Sequence, residues 1–76
     1  MNNERRKQIS EALAQLEAAK SILETVRDEE QDAYDNLPEG LQNGERGEKM
    51  SAAADALDSA VSDLDSAIDQ LNEAAA

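Results

Sequence analysis

The stretch Met50-Ser51-Ala52-Ala53-Ala54-Asp55-Ala56-Leu57-Asp58-Ser59-Ala60-Val61-Ser62-Asp63-Leu64-Asp65-Ser66-Ala67-Ile68-Asp69-Gln70-Leu71 decides the fold. Its apolar positions, Met50, Ala54, Leu57, Val61, Leu64, Ile68 and Leu71, are separated by alternating steps of four and three, and Ala75 continues the series. That is the period of one face of an α-helix. It is also a strict repeat of seven, with units starting at Lys49, Ala56, Asp63 and Gln70. A sustained seven-residue repeat makes packed helices supercoil left-handedly. Each unit places an alanine on the same flank, at Ala53, Ala60, Ala67 and Ala74, which lets another helix approach closely there.

Working backwards, this second helix is expected over about residues 45–74, with Asn43 or Gly44 as its cap and Glu45 and Glu48 at its positive end. A linker over 36–44 precedes it. Pro38 disfavours helix at Leu37, Gly40 and Gly44 permit positive φ, and Leu37 and Leu41 are apolar enough to plug the end of a hairpin. A first helix is expected over about 3–35, capped by Asn2 or Asn3 and free of Gly and Pro. Its main stripe reads Ala12, Leu16, Ala19, Leu23, Val26, Ala33 and Leu37, while Glu30 occupies an in-phase position that the stripe skips. Ile9, Leu13 and Ile22 widen the stripe toward a second neighbour. A connection this short makes the two helices antiparallel neighbours. The fold class is therefore all-α: an antiparallel, coiled-coil-like two-helix hairpin in a single domain.

Such a hairpin is short of core. The chain has 76 residues, no Phe or Trp, and Tyr34 as its one aromatic side chain. Chains of this size usually need a disulfide, a metal or a partner chain. Cys and His are both absent, so self-association into a four-helix bundle or larger oligomer is the expected staple. The residues expected at that interface are Ile9, Leu13, Leu16, Ile22, Leu57, Val61, Leu64 and Ile68.

Charge narrows the function classes. The formal net charge is −11. A surface of that sign repels phosphate backbones and anionic membranes, so direct nucleic-acid binding and membrane association are not expected. No apolar run approaches the ~20 residues of a membrane span, and the basic cluster Arg5-Arg6-Lys7 is not followed by one, which points to the cytoplasm. The charge is uneven: residues 1–27 carry a net +1, residues 28–48 a net −7 and residues 49–76 a net −5. Folding is expected to set Arg5, Arg6 and Lys7 beside Asp69 and Glu73. Asp28, Glu29, Glu30, Asp32 and Asp35 crowd the end of the first helix, where the macrodipole is already negative. Broken local rules mark candidate functional sites. These acids, with Tyr34 as an aromatic anchor and with Arg46 and Lys49, form the candidate partner-binding set. The competing reading is a solvated acidic face, a Tyr34 packed on the linker, and basic residues paired locally.

Enzyme chemistry is not expected. A di-metal bundle needs Glu-x-x-His pairs, a calcium loop needs a central Gly after alternating acids, and an activated serine needs a neighbouring base; none of these is present. The glycines match no phosphate loop, so no cofactor or metal is expected.

Tyr34-Asp35-Asn36-Leu37-Pro38-Glu39-Gly40-Leu41-Gln42, followed by Glu45-Arg46-Gly47-Glu48 and aliphatic residues at heptad spacing, resembles a set of small helical-hairpin proteins of phages, prophages and gut-type Gram-positive bacteria. The resemblance covers about residues 30–72, with Gly44 where those proteins carry a Ser cap. It implies the hairpin fold and a phage-like origin, and it brings no activity. Three functions remain in view: a protein-interaction module inhibiting a host protein, an acidic mimic of DNA directed against host defence, and an oligomeric sponge holding an anionic nucleotide signal at Arg46, Lys49 and Tyr34.

Overall fold

The computed structural model describes residues 1–76 and contains three helices: α1 (Asn3–Asp35), α2 (Glu39–Gln42) and α3 (Glu45–Ala75). The two long helices lie antiparallel along a rod measuring 58 × 15 × 13 Å. The expected bounds of both hold to within a residue or so.

Each boundary has a local cause. Asn2 is extended (φ −81°, ψ 168°), and its side-chain oxygen accepts a 2.8 Å hydrogen bond from the backbone N–H of Arg5. That satisfies one of the orphan donors at the helix start. At the other end the N–H of Asn36 still reaches the carbonyl of Asp32 at 3.0 Å, and the N–H of Leu37 turns back to Tyr34 at 3.1 Å. Pro38 then stops the helix, because its ring excludes α conformation from the residue before it.

The linker departs from expectation in three ways. It holds a short helix, α2, nucleated by the Pro38 carbonyl, which accepts from Leu41 at 2.8 Å and Gln42 at 3.1 Å. No glycine in the chain has a positive φ, so Gly40 and Gly44 are not used for left-handed turns. Leu41 is 54% exposed, so the plug is Leu37 alone, half-buried beneath the turn. Gln42 is the half-buried residue of α2, and its side-chain amide donates to the Tyr34 carbonyl at 3.1 Å and ties α2 to the end of α1.

Gly47 is the residue that this turn needs. It is buried in the first turns of α3, and a Cβ there would stand 2.2 Å from the carbonyl oxygen of Gln42. Only a residue without a side chain lets the α2 backbone pass so close.

The seam follows the expected phase in α3 and a shifted one in α1. On α3, Gly47, Ala54, Val61 and Ile68 are buried, and Met50, Leu57, Leu64 and Leu71 are half-buried between them. On α1 the residues turned inward are Ile9, Leu13, Leu16, Lys20, Leu23, Arg27, Glu30 and Tyr34, and Leu37 continues the row beyond the helix end, all half-buried. These keep the four-three alternation but place Lys20, Arg27 and Glu30 in the seam. The expected stripe through Ala12, Ala19, Val26 and Ala33 lies one residue to the side, with Val26 40% exposed. Long cationic side chains can occupy such positions because their stems pack while their charged heads reach water.

Candidate functional site

The register of the hairpin can be read from two ion pairs. Lys20 meets Asp65, and Arg27 Nη1 meets Asp58 at 3.1 Å. The seven-residue step from Lys20 to Arg27 along α1 matches the seven-residue step back from Asp65 to Asp58 along α3. Lys20 also lies 3.8 Å from Glu24, and Arg27 Nε lies 3.1 Å from Asp28. The hydrogen bond from Lys20 to Asp65, reinforced by the charges of Asp65, Glu24 and Asp69, raises the Lys20 pKa above its ordinary value despite some loss of hydration. The hydrogen bond to Asp28 does the same for Arg27, with Asp58 adding to it. Both networks are solvated, so they contribute little net stability and chiefly fix which residue faces which.

These pairs also give the rod two unlike sides. Asp58 and Asp65 each follow a seam leucine, Leu57 and Leu64, so both cations reach out on that side. This acidic face includes a shallow groove lined by Arg27, Asp28, Gln31, Ala54, Asp55 and Asp58. The opposite side is formed by the residues preceding the seam positions: Ala12, Ala19, Val26 and Ala33 on α1, and Ala53, Ala60, Ala67 and Ala74 on α3. Ala19, Ala60 and Ala67 are half-buried where the helices approach, and Ile22 projects beside them at 63% exposure. On α1 this face is uncharged from Gln8 to Val26, while on α3 Asp63 stands level with Ile22.

The residues expected to bind a partner fall into distinct places. Glu29, Asp32 and Asp35 are exposed on the outer surface of α1, with no cationic partner. Asp28 is held by Arg27, and Glu30 turns half-buried into the seam. Tyr34 is likewise half-buried in the seam and packs at the linker end. Lys49 pairs with Glu45 at 3.2 Å, and Arg46 lines a depression with Glu45, Lys49 and Met50. Tyr34 therefore does not join Arg46 and Lys49 as one exposed cluster.

Of the eight residues expected at an oligomer interface, seven (Ile9, Leu13, Leu16, Leu57, Val61, Leu64 and Ile68) line the seam between the chain's own helices. Ile22 alone stands outside. The one-residue phase shift in α1 is the reason: it turns Ile9 and Leu13 toward α3 and leaves Ile22 and Val26 on the surface. The N-terminal cluster also differs from expectation. Arg5, Arg6 and Lys7 form no ion pair with Asp69 or Glu73; Arg6 instead donates to the Ala75 carbonyl at 3.2 Å. The register explains this, because it sets Asp69 level with Leu16 and Glu73 level with Ala12, further along the rod than the three cations.

No group of three or more metal-type ligands converges anywhere on the rod, and no helix is long and apolar enough to cross a membrane. No family model matches the chain, and no curated protein or solved structure does so either.

Proposed function

We infer that the chain is a non-enzymatic interaction module whose acidic linker end docks a basic protein, in the manner of a phage-type inhibitor of a host protein. The observation that carries this reading is the set of unneutralised carboxylates at one end of a stiff rod. Glu29, Asp32 and Asp35 on α1, Glu39 on α2 and Glu48 on α3 have no cation within ion-pair distance, while Lys20 and Arg27 answer acids nearer the middle. Helices hold these groups at fixed spacing, so a complementary basic surface loses little entropy on meeting them. A host partner that normally grips nucleic acid has such a surface, which joins the inhibitor reading to that of a DNA mimic.

The test is capture of host protein by the wild type and by a variant carrying Asp28→Asn, Glu29→Gln, Glu30→Gln and Asp32→Asn. The reading expects a partner retained by the wild type, lost by the variant, and released as salt rises from about 0.05 to about 0.5 M, over which the Debye length falls from roughly 14 to roughly 4 Å. A partner held equally by both proteins would place the docking surface elsewhere.

A further inference from the structure

We propose that the alanine face is a two-fold interface for a second copy of this chain, and that the two hairpins pair head to tail. This rests on the self-association expected of so thin a core, and adds the surface and the orientation. The face is separate from the acids that dock a partner, although the orientation brings the basic segment of the second copy level with the linker end.

Three observations carry it. The first is area. The chain exposes 5351 Å², whereas a compact monomer of its mass exposes about 4,500 Å². The excess, roughly 800 Å², is about what each partner contributes to a stable interface of standard size. The second is position. Apart from residues at the chain start and the linker, the exposed large apolar side chains are Ile22 and Val26, one helical turn apart and both on this face. The third is charge. In a chain of net charge −11, the α1 side of this face, through Gln8, Ala12, Gln15, Ala19, Ile22 and Val26, carries no charge, so a second copy meets least repulsion there.

Orientation follows from the two ends. Arg5, Arg6 and Lys7 have no carboxylate partner within their own hairpin, and residues 28–48 carry a net −7. Stacking two linker ends together would set these acidic segments against each other. A two-fold axis across the rods, passing between Ile22 and Val26, does the reverse. It lays each α1 antiparallel on the α1 of the other copy, so Ile22 of each copy meets Val26 of the other. Arg5–Lys7 then come level with the linker of the second copy, where Glu39 stands unpaired.

Because the sequence contains no cysteine, one introduced thiol labels one site. Donor- and acceptor-labelled pools of Glu4→Cys, mixed, report the distance between the two N-terminal ends. Head-to-tail pairing sets them about 60 Å apart, at 1.5 Å per residue from the axis, and pairing with coincident linker ends brings them within about 30 Å. Sedimentation equilibrium of the wild type gives the mass. The proposal expects twice the 8.2 kDa of one chain, weak energy transfer, and a return to monomer in the double variant Ile22→Glu, Val26→Glu. Thr25→Glu, on the outward side of α1, leaves the mass unchanged. A wild type that stays monomeric across the concentrations sedimented overturns the interface even if the salt-sensitive partner is found. Strong transfer in a dimer overturns the orientation, and a double variant that remains dimeric overturns the face. The wild-type mass and the transfer measurement stand whether or not the double variant folds well.

Discussion

Replacing Gly47 by alanine sets two effects of opposite sign against each other. Helix propensity favours the change, since alanine inside a helix is better than glycine by about 1 kcal/mol. Packing opposes it. The added Cβ would lie 2.2, 2.6 and 2.7 Å from the oxygen, carbonyl carbon and Cα of Gln42, all backbone atoms. No rotamer change relieves such a contact, so either the two backbones move apart or α2 leaves α3. Overpacking of this kind costs about 1–3 kcal/mol. Undocking α2 forfeits the Gln42–Tyr34 hydrogen bond, worth about 1 kcal/mol, and the packing of α2 on α3, worth up to about 2 kcal/mol more. A 2.2 Å approach to backbone atoms puts either response at the upper end of these ranges, about 2–3 kcal/mol, which the gain in propensity offsets only in part. A net loss of about 1–2 kcal/mol lowers the melting temperature of a chain this size by roughly 5–15 °C. Gly40→Ala is the control, since nothing lies within 4 Å of a Cβ there, and propensity alone should raise stability by about 0.5–1 kcal/mol. Thermal melts followed at 222 nm, at one fixed protein concentration, compare the three proteins. A Gly47→Ala protein that melts at or above the wild type, with α2 still docked, would refute the close approach.

Further outcomes follow from the same structure. Asn2→Ala removes the cap on Arg5 and should cost about 1 kcal/mol of local helix stability; hydrogen exchange should quicken at Arg5 and its neighbours and stay unchanged at Val61. Replacing Lys20 and Arg27 together by leucine makes the seam continuous and should raise the melting temperature while loosening the choice of register; a lower melting temperature would show that the ion pairs stabilise more than packed leucines do. The Lys20 pKa is raised in the folded state, so its contribution is fully present below the ordinary value of 10.5 and is lost as pH climbs through the raised one. Wild type and Lys20→Met should therefore differ by a constant margin near neutrality and converge only in strong alkali, as read by melts across that range.

Much of the hairpin was legible in the sequence because the dominant forces are local and periodic. The α3 seam could be phased from Met50 through Ala75 since every inward position is apolar or alanine. The end of α1 was legible from Pro38, and its start from Asn2. The phase of α1 was not, for a physical reason. Lys20 and Arg27 lie in the seam, and a reading that equates charge with exposure passes over them to Ala19 and Val26; Glu30 was already in phase with the expected stripe. Such positions are made tenable by the partner acids Asp58 and Asp65, which become visible only once the register is known. Helix α2 is a single turn, too short for any period. Gly47 did leave a trace: it lies seven residues before Ala54 and so belongs to the row through Val61 and Ile68. A glycine in a row of core residues marks a close backbone approach. The candidate site was legible as an excess of acid at the linker end, but the separation of Tyr34 from Arg46 and Lys49 depends on how the turn folds.

The most direct test of the hairpin and its register is a distance between spin labels at Glu11→Cys and Glu73→Cys, on the outward faces of α1 and α3, in doubly labelled chains diluted with excess unlabelled protein. An antiparallel hairpin aligned through Lys20–Asp65 and Arg27–Asp58 places the labels about 20–25 Å apart, from adjacent helices packed 8–10 Å between axes plus the reach of the labels. A continuous rod would place them about 90 Å apart at 1.5 Å per residue, and a distance beyond about 40 Å in the diluted sample would contradict the fold on which the interface and the docking surface both depend.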